Sequence, residues 1–245
     1  MNLIIKIVGE RETLRLDKFL CEMNKGSRSQ VKDHIRQGFV TVNGAVIKTP
    51  EQKIKEDSDL VTFRGEPLTF QKFVYYMLNK PQGVVSATKD NTARTVLELL
   101  PEEKRTGLFP VGRLDKDTEG LLLITNDGQL AHRLLSPKKH VDKVYLVGIK
   151  KALTVEEADR LRQGVDIGEK KLTAPAKVEI LEELQIALTI HEGQFHQVKR
   201  MFKAVGNEVL TLKRIRFGRL QLDEKLSPGQ SRELTEEEVE LLHES

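Results

Sequence analysis

Gly112-Arg113-Leu114-Asp115-Lys116-Asp117-Thr118-Glu119-Gly120-Leu121-Leu122-Leu123-Ile124-Thr125-Asn126-Asp127-Gly128 sets a loop dense in charge against an unbroken apolar run. Leu121–Thr125 is short, apolar and bounded by turn residues, so it reads as a buried strand. Asn126-Asp127-Gly128 closes it with a turn, and Gln129–Leu135 follows as a helix. A loop held at a strand end and rich in titratable groups is where sites concentrate. Asp115, Asp117 and Glu119 admit three readings. They are oxygen ligands for a hard cation, an ordinary solvated turn, or a loop that carries one catalytic carboxylate. Spacing alone leaves all three open.

Working outward, short strands and helices mix without a strict βαβ rhythm. Val74–Asn79 is strand-like and turns at Lys80-Pro81-Gln82-Gly83. Thr95–Leu100 is a short helix. Lys143–Ile149 is a strand, and Thr154 caps a helix that runs to about Gln163-Gly164. Ala176–Leu181 and Ile186–Ile190 are strands. Gln194–Val205 is a helix ended by Gly206, and Thr211–Phe217 and Arg219–Leu222 complete the sheet. Thr235 caps a last helix, and the acidic tail, residues 233–244, reads as solvated. This is an α+β pattern with no internal repeat.

A smaller unit precedes it. Leu16, Phe19, Leu20 and Met23 mark one face of a helix. Ser27 caps a second helix, Arg28–Gln37, ended by Gly38. Asn43-Gly44 is a strong hairpin signal between Phe39–Val42 and Ala45–Ile47, because both central residues of a type I′ turn need positive φ. Asp59–Phe63 is a further strand. Arg64-Gly65-Glu66-Pro67 reads as a linker, which divides the chain into residues 1–65 and 66–245. On the second helix Arg28, Lys32 and Arg36 fall at i, i+4, i+8 and form one stripe. Such a stripe suits phosphates, whose contacts are largely blind to sequence. It also suits a plain solvated face.

Bulk properties narrow the class. The 245 residues are 38% apolar and 31% charged, with a net charge of +3. Residues 1–65 carry +3, residues 66–230 carry +5 and residues 231–245 carry −5, so a basic body is masked by an acidic end. Basic bodies suit polyanions. No apolar run approaches the roughly 18 residues that span a bilayer. Met1–Lys6 lacks the marks of a secretory signal. Cys21 is the single cysteine, so no intramolecular disulfide forms and a cytoplasmic location is expected. There is no phosphate-binding glycine loop, zinc spacing or dinucleotide fingerprint, so no cofactor and no metal is expected.

Two resemblances sharpen this. Arg15–Leu20, Gly26–Val31 and Gln37–Gly44 resemble the S4 RNA-binding domain, over roughly residues 14–62. The Gly112–Gly128 string resembles the signature of the RsuA-type pseudouridine synthases. Asn79-Lys80-Pro81-Gln82-Gly83-Val84-Val85-Ser86, Lys143-Val144-Tyr145 and Glu192–Phe202 resemble that family's other motifs, in order, over about residues 75–220. The resemblance implies an S4-type domain followed by a synthase domain built on a mixed, largely antiparallel sheet with flanking helices. It implies an isomerase that converts a uridine of ribosomal RNA to pseudouridine, with Asp115, Tyr145 and Lys199 as catalytic residues. Arg28, Lys32, Arg36, Arg113, His196, Gln197 and Arg200 are then candidate RNA contacts. Lys199 stands where related synthases often carry arginine, so either Lys199 pairs with Asp115 or Arg200 shares that role, and Lys199 is the favoured partner.

Gly164–Gly168, Leu172–Ala176 and Glu179–Leu181 look more like the enzyme acting on 16S than like relatives acting on 23S ribosomal RNA. The expected partner is therefore 16S ribosomal RNA, as free RNA or as an assembly intermediate carrying ribosomal proteins. A monomer without membrane contact is expected. A non-catalytic S4-type RNA-binding or ribosome-assembly factor is the rival of a different class. It explains the basic stripe but not Asp115 within four ordered motifs.

Overall fold

The computed structural model describes residues 13–23, 25–55, 58–68, 73–136 and 139–245. The Met1–Lys6 segment therefore lies outside the described residues. The chain divides into two compact units, Met1–Lys72 and Phe73–Ser245.

In the first unit, β1 (Thr13–Arg15) leads into α1 (Leu16–Glu22) and α2 (Arg28–Arg36). Then come β2 (Val40–Val42), β3 (Ala45–Val46), β4 (Lys53–Lys55), β5 (Val61–Phe63) and β6 (Glu66–Leu68). β1 pairs with β4, and the other four strands form a sheet in the order β3-β2-β5-β6. Ser27 and Gln30 make the reciprocal capping box that starts α2. Asn43 and Gly44 turn the hairpin at φ 51° and 82°. The Asn43 side chain then accepts from the Leu60 N–H and donates to Asp59, both at 2.9 Å, which ties the hairpin to β5. Leu16, Phe19, Leu20, Val31, Ile35, Ile54 and Val61 form the core. The linker expected at Arg64–Pro67 is instead a hairpin turn, with Arg64 and Gly65 at φ 52° and 85°, followed by β6. Proline is tolerated in this three-residue end strand because it lies at the sheet edge.

The second unit contains β7 (Tyr75–Lys80), β8 (Phe109–Pro110), β9 (Glu119–Thr125), α3 (Gly128–Leu135), β10 (Lys143–Ile149) and α4 (Val155–Gln163). These are followed by β11 (Lys177–Glu182), β12 (Gln185–Ile190), α5 (Gln197–Ala204), β13 (Val209–Phe217), β14 (Leu220–Gln221), β15 (Ser231–Glu233) and α6 (Glu236–His243). The sheet order is β11-β12-β10-β13-β9-β7-β15, with β14 on β13 and β8 on β9. The β9–β13 ladder is parallel and the others in this sheet are antiparallel. This is the expected mixed, largely antiparallel α+β sheet.

Helices cover both faces, which explains the unbroken apolar run of β9. Leu122 and Ile124 point into one core with Ala158 and Leu161 of α4 and Met201 and Phe202 of α5. Leu121 and Leu123 point into the other, with Leu130 and Leu134 of α3 and Leu242 of α6.

Two further expectations are corrected. The Gln194–Val205 helix begins only at Gln197, because His196 takes a left-handed conformation, φ 48°, that no helix continues. The acidic tail is docked rather than simply solvated. Leu242 is fully buried. The Arg232 guanidinium also grips Glu238 through two bonds of 2.7 Å.

Gly120 lets β9 approach β13. It sits at φ 102°, and a β-carbon there would collide with the Arg214 backbone carbonyl. Gly120→Ala should therefore cost about 2–4 kcal/mol, combining a strained backbone with a clash. The urea midpoint of the full chain reads this, and an unchanged midpoint would show that the strands part freely.

Candidate active site

The Leu114–Thr118 loop is held from below by the end of β7. Lys80 is fully buried. Its Nζ donates to the carbonyl oxygens of Pro81 at 3.0 Å, Asp115 at 2.9 Å, Lys116 at 3.3 Å and Thr118 at 2.8 Å. Burial pushes Lys80 down from the ordinary 10.5 to about 8, against the pull of Asp117, Asp115 and Glu119. The turn after β7 adds two more ties. The Gly83 N–H donates to the Lys116 carbonyl at 2.8 Å. The Ser86 hydroxyl donates to the Leu114 carbonyl at 2.9 Å and accepts the Leu114 N–H at 3.0 Å. The Asn79–Ser86 segment thus fixes the loop's backbone.

Lys199, in the first turn of α5, reaches the loop from the other side. Its Nζ donates to Asp115 Oδ2 at 3.2 Å and to Asp117 Oδ1 at 2.5 Å. Burial opposes the Lys199 charge, but the bonds to Asp117 and Asp115 outweigh it and raise its pKa above the ordinary lysine value. The same contact holds Asp117 below the usual carboxylate range, against its own burial. The ammonium thus sits between two of the three carboxylates that a cation-binding reading would use. His196 Nε2 lies 3.7 Å from Asp115 Oδ1.

Asp115, Tyr145, Arg113, His196, Ile190 and Leu212 line one cavity of about 60 Å³. Tyr145 is buried on β10 and stands opposite Arg214 of β13 in register. Arg214 is also buried. Its Nε donates to the Leu121 carbonyl at 2.8 Å, and its guanidinium lies over the Phe217 ring at 5.0 Å. Burial lowers the Arg214 pKa, while Tyr145 beside it favours the charge. Tyr145, Arg113 and Arg214 also border a second, larger cavity of about 620 Å³, with Lys143, His140 and His191.

The other candidates divide. Arg113 is exposed on the rim of both cavities, and its side chain has no partner among the described residues. Arg200 turns away from Asp115 and bonds Glu169 at 2.9 Å, the Phe195 carbonyl at 3.0 Å and the Ile167 carbonyl. Lys199 alone of the two pairs with Asp115. Gln197 is buried and spends its amide within the loop, accepting from the Gln194 N–H at 3.0 Å and donating to Glu192 at 2.8 Å. Arg28, Lys32 and Arg36 belong to the first unit, where Arg36 bonds Asp33 at 3.3 Å. Sequence reasoning assigned no role to Lys80, Ser86 or Arg214. A lone lysine closing an apolar strand is a signal for Lys80. Arg214 sits in an alternating basic strand and has no such mark.

Comparison with known proteins places the scaffold in a family. The S4 domain model matches residues 14–60, and the RNA pseudouridylate synthase model matches residues 74–204. An uncharacterized RNA pseudouridine synthase of Bacillus subtilis is 52% identical, over 94% of this chain and 99% of that protein. The ribosomal small subunit pseudouridine synthases A of Vibrio cholerae and Escherichia coli are each 45% identical, over 92% of this chain and 98% of theirs. A pseudouridylate synthase crystal structure superposes with a TM-score of 0.68 at 42% identity, covering 94% of this chain and 99% of that one. With a lysine-paired aspartate beside a buried tyrosine on a matching scaffold, the chain belongs to the RNA pseudouridylate synthase family.

Proposed function

We propose that this chain converts one uridine of 16S ribosomal RNA to pseudouridine, with Asp115 as the catalytic carboxylate. The observation that carries this is the Asp115–Lys199 pair at a cavity walled by Tyr145. The reaction breaks the bond from C1′ to N1, rotates the freed uracil and joins C1′ to C5. The C5 proton is lost and N1 gains one, so nothing is consumed. The target must leave its stack to reach such a site. Asp115 then either attacks C1′ or takes the C2′ proton. Both routes start from the carboxylate that Lys199 faces. Tyr145 packs on the uracil, with its hydroxyl toward C5. Arg113 holds the phosphate of the extruded nucleotide.

The choice of 16S rests on the names of the small-subunit relatives and on the Gly164–Leu181 resemblance. In this proposal the enzyme acts in the cytoplasm, as a monomer, on 16S RNA or on an assembly intermediate carrying ribosomal proteins. No described helix is long and apolar enough to cross a membrane.

Pseudouridine mapping by carbodiimide-dependent reverse-transcription stops tests the core of the proposal. A gene-deleted strain should lose one 16S stop. Wild type should restore it and Asp115→Ala should not. A stop in 23S RNA would move the substrate, and no gene-dependent stop would leave Asp115 without a role.

Lys199→Met should lower the single-turnover rate about 100-fold or more, within the span of acid–base and ion-pair losses at such sites. Lys199→Arg should recover to within about tenfold of wild type, since it keeps the charge. A Lys199→Met rate within threefold of wild type would remove Lys199 from the mechanism.

The pH profile should also be diagnostic. Below about 8 the Lys80 ammonium offers three donors to its four carbonyls; above it, the neutral amine offers two. Burial next to Arg214 likewise lowers Lys143 to about 8. Lys199 is shifted the other way, above 10.5, and keeps its charge through this range. The rate should therefore fall as pH rises through about 8. A flat profile to pH 10 would show that neither buried lysine matters.

A further inference from the structure

Phe195 projects from the loop between β12 and α5 with 73% of its surface exposed. Its ring lies flat on His196, centroids 3.8 Å apart and planes 19° from parallel. His196 in turn lines the Asp115 cavity and places Nε2 3.7 Å from the carboxylate. An aromatic surface thus runs from the carboxylate out to solvent.

The loop that presents it is tied down. Arg200 Nη1 bonds the Phe195 carbonyl at 3.0 Å, and Gln197 clamps Gln194 and Glu192 on the other side. His196 holds a left-handed φ of 48° there, a conformation that costs a non-glycine residue of order 1 kcal/mol or more. Strain at a rigid loop beside a reactive group, spent on exposing a phenyl ring, calls for a ligand that covers the ring. Flat nucleobases stack on aromatic side chains without regard to sequence. The unpaired Arg113 on the rim of the same cavity favours a polyanion over an apolar protein segment.

We propose that Phe195, backed by His196, is a stacking platform for a nucleobase adjoining the target uridine, and that it sets RNA affinity. This rests on the RNA-modifying function proposed above.

The chain has no tryptophan, so Phe195→Trp introduces a single indole that can be excited apart from the three tyrosines. Titrating it with 16S ribosomal RNA should quench its emission by about half or more, as base stacking does. Phe195→Ala should raise KM for that RNA about tenfold and lower kcat/KM equally, within the range of a base–aromatic stack. Phe195→Tyr and Phe195→Trp should stay near wild type, whereas Phe195→Leu should behave like alanine. A KM within twofold of wild type for Phe195→Ala overturns the platform. So does rescue by leucine, which marks an apolar contact, or a loss confined to kcat, which marks Phe195 as only positioning His196. If wild type modifies no ribosomal RNA, the proposed function fails by itself. The fluorescence titration still decides the platform: quenching keeps it and an unchanged spectrum ends it.

Discussion

One buried ammonium, Lys80, determines where the reactive loop can be. Removing a charge from water costs several kcal/mol even after relaxation, so a buried lysine survives only if its protons are met by acceptors. Here four backbone carbonyls meet them, three from the loop itself. Lys80 also pairs in register with Gly120, the residue that lets β9 lie close against β13. The loop therefore hangs where the antiparallel and parallel ladders of the sheet join. Its backbone is pinned by a charge below and by the reciprocal Ser86 bonds at one end. The Asp115 side chain is left to face the cavity and Lys199.

The Lys199 contact depends on that pinning. α5 delivers its ammonium to two carboxylates, and they differ in setting. Asp117 is 67% exposed and Asp115 only 27%. Water screens the first pair more than the second. Asp117 makes the shorter bond, but it faces solvent and does not line the cavity. In the proposed mechanism Asp117 holds Lys199 in position while Asp115 faces the sugar.

Local chemistry was legible in the sequence and long-range pairing was not. The caps at Ser27, Thr154 and Thr235 and the Asn43-Gly44 turn close over three or four residues, and all are found. The Leu121–Ile124 run announced a strand covered on both faces. The short edge strands β6, β8 and β15 were missed, because two or three residues carry no periodicity and pair with distant partners. The tail was read as solvated since its acidic run hides Leu242, and its anchor Arg232 carries no mark of its role. At the site, the motifs named Asp115, Tyr145 and Lys199. The reading favoured Lys199 over Arg200, and α5 turns the two side chains about 100° apart, with Lys199 toward Asp115 and Arg200 toward Glu169. A lone lysine closing an apolar strand marks Lys80, but its four-carbonyl cradle was not legible, because backbone carbonyls carry no sequence signature.

The net charge of +3 understates the field at this site. Lys80, Lys143 and Arg214 are all buried, and each donates to backbone carbonyls rather than to a carboxylate. Carbonyl dipoles meet the Lys80 and Lys143 ammonium groups and the Arg214 Nε, while Arg214 Nη2 has no hydrogen-bond partner among the described residues. Charges inside a low-dielectric core act over longer distances than surface charges, which salt screens within about 10 Å. Lys143 and Arg214 flank Tyr145 on the side of the larger cavity, and Lys80 lies under Asp115. In the proposed reaction these buried cations would face the negative charge that a uracil gains as its bond to C1′ parts.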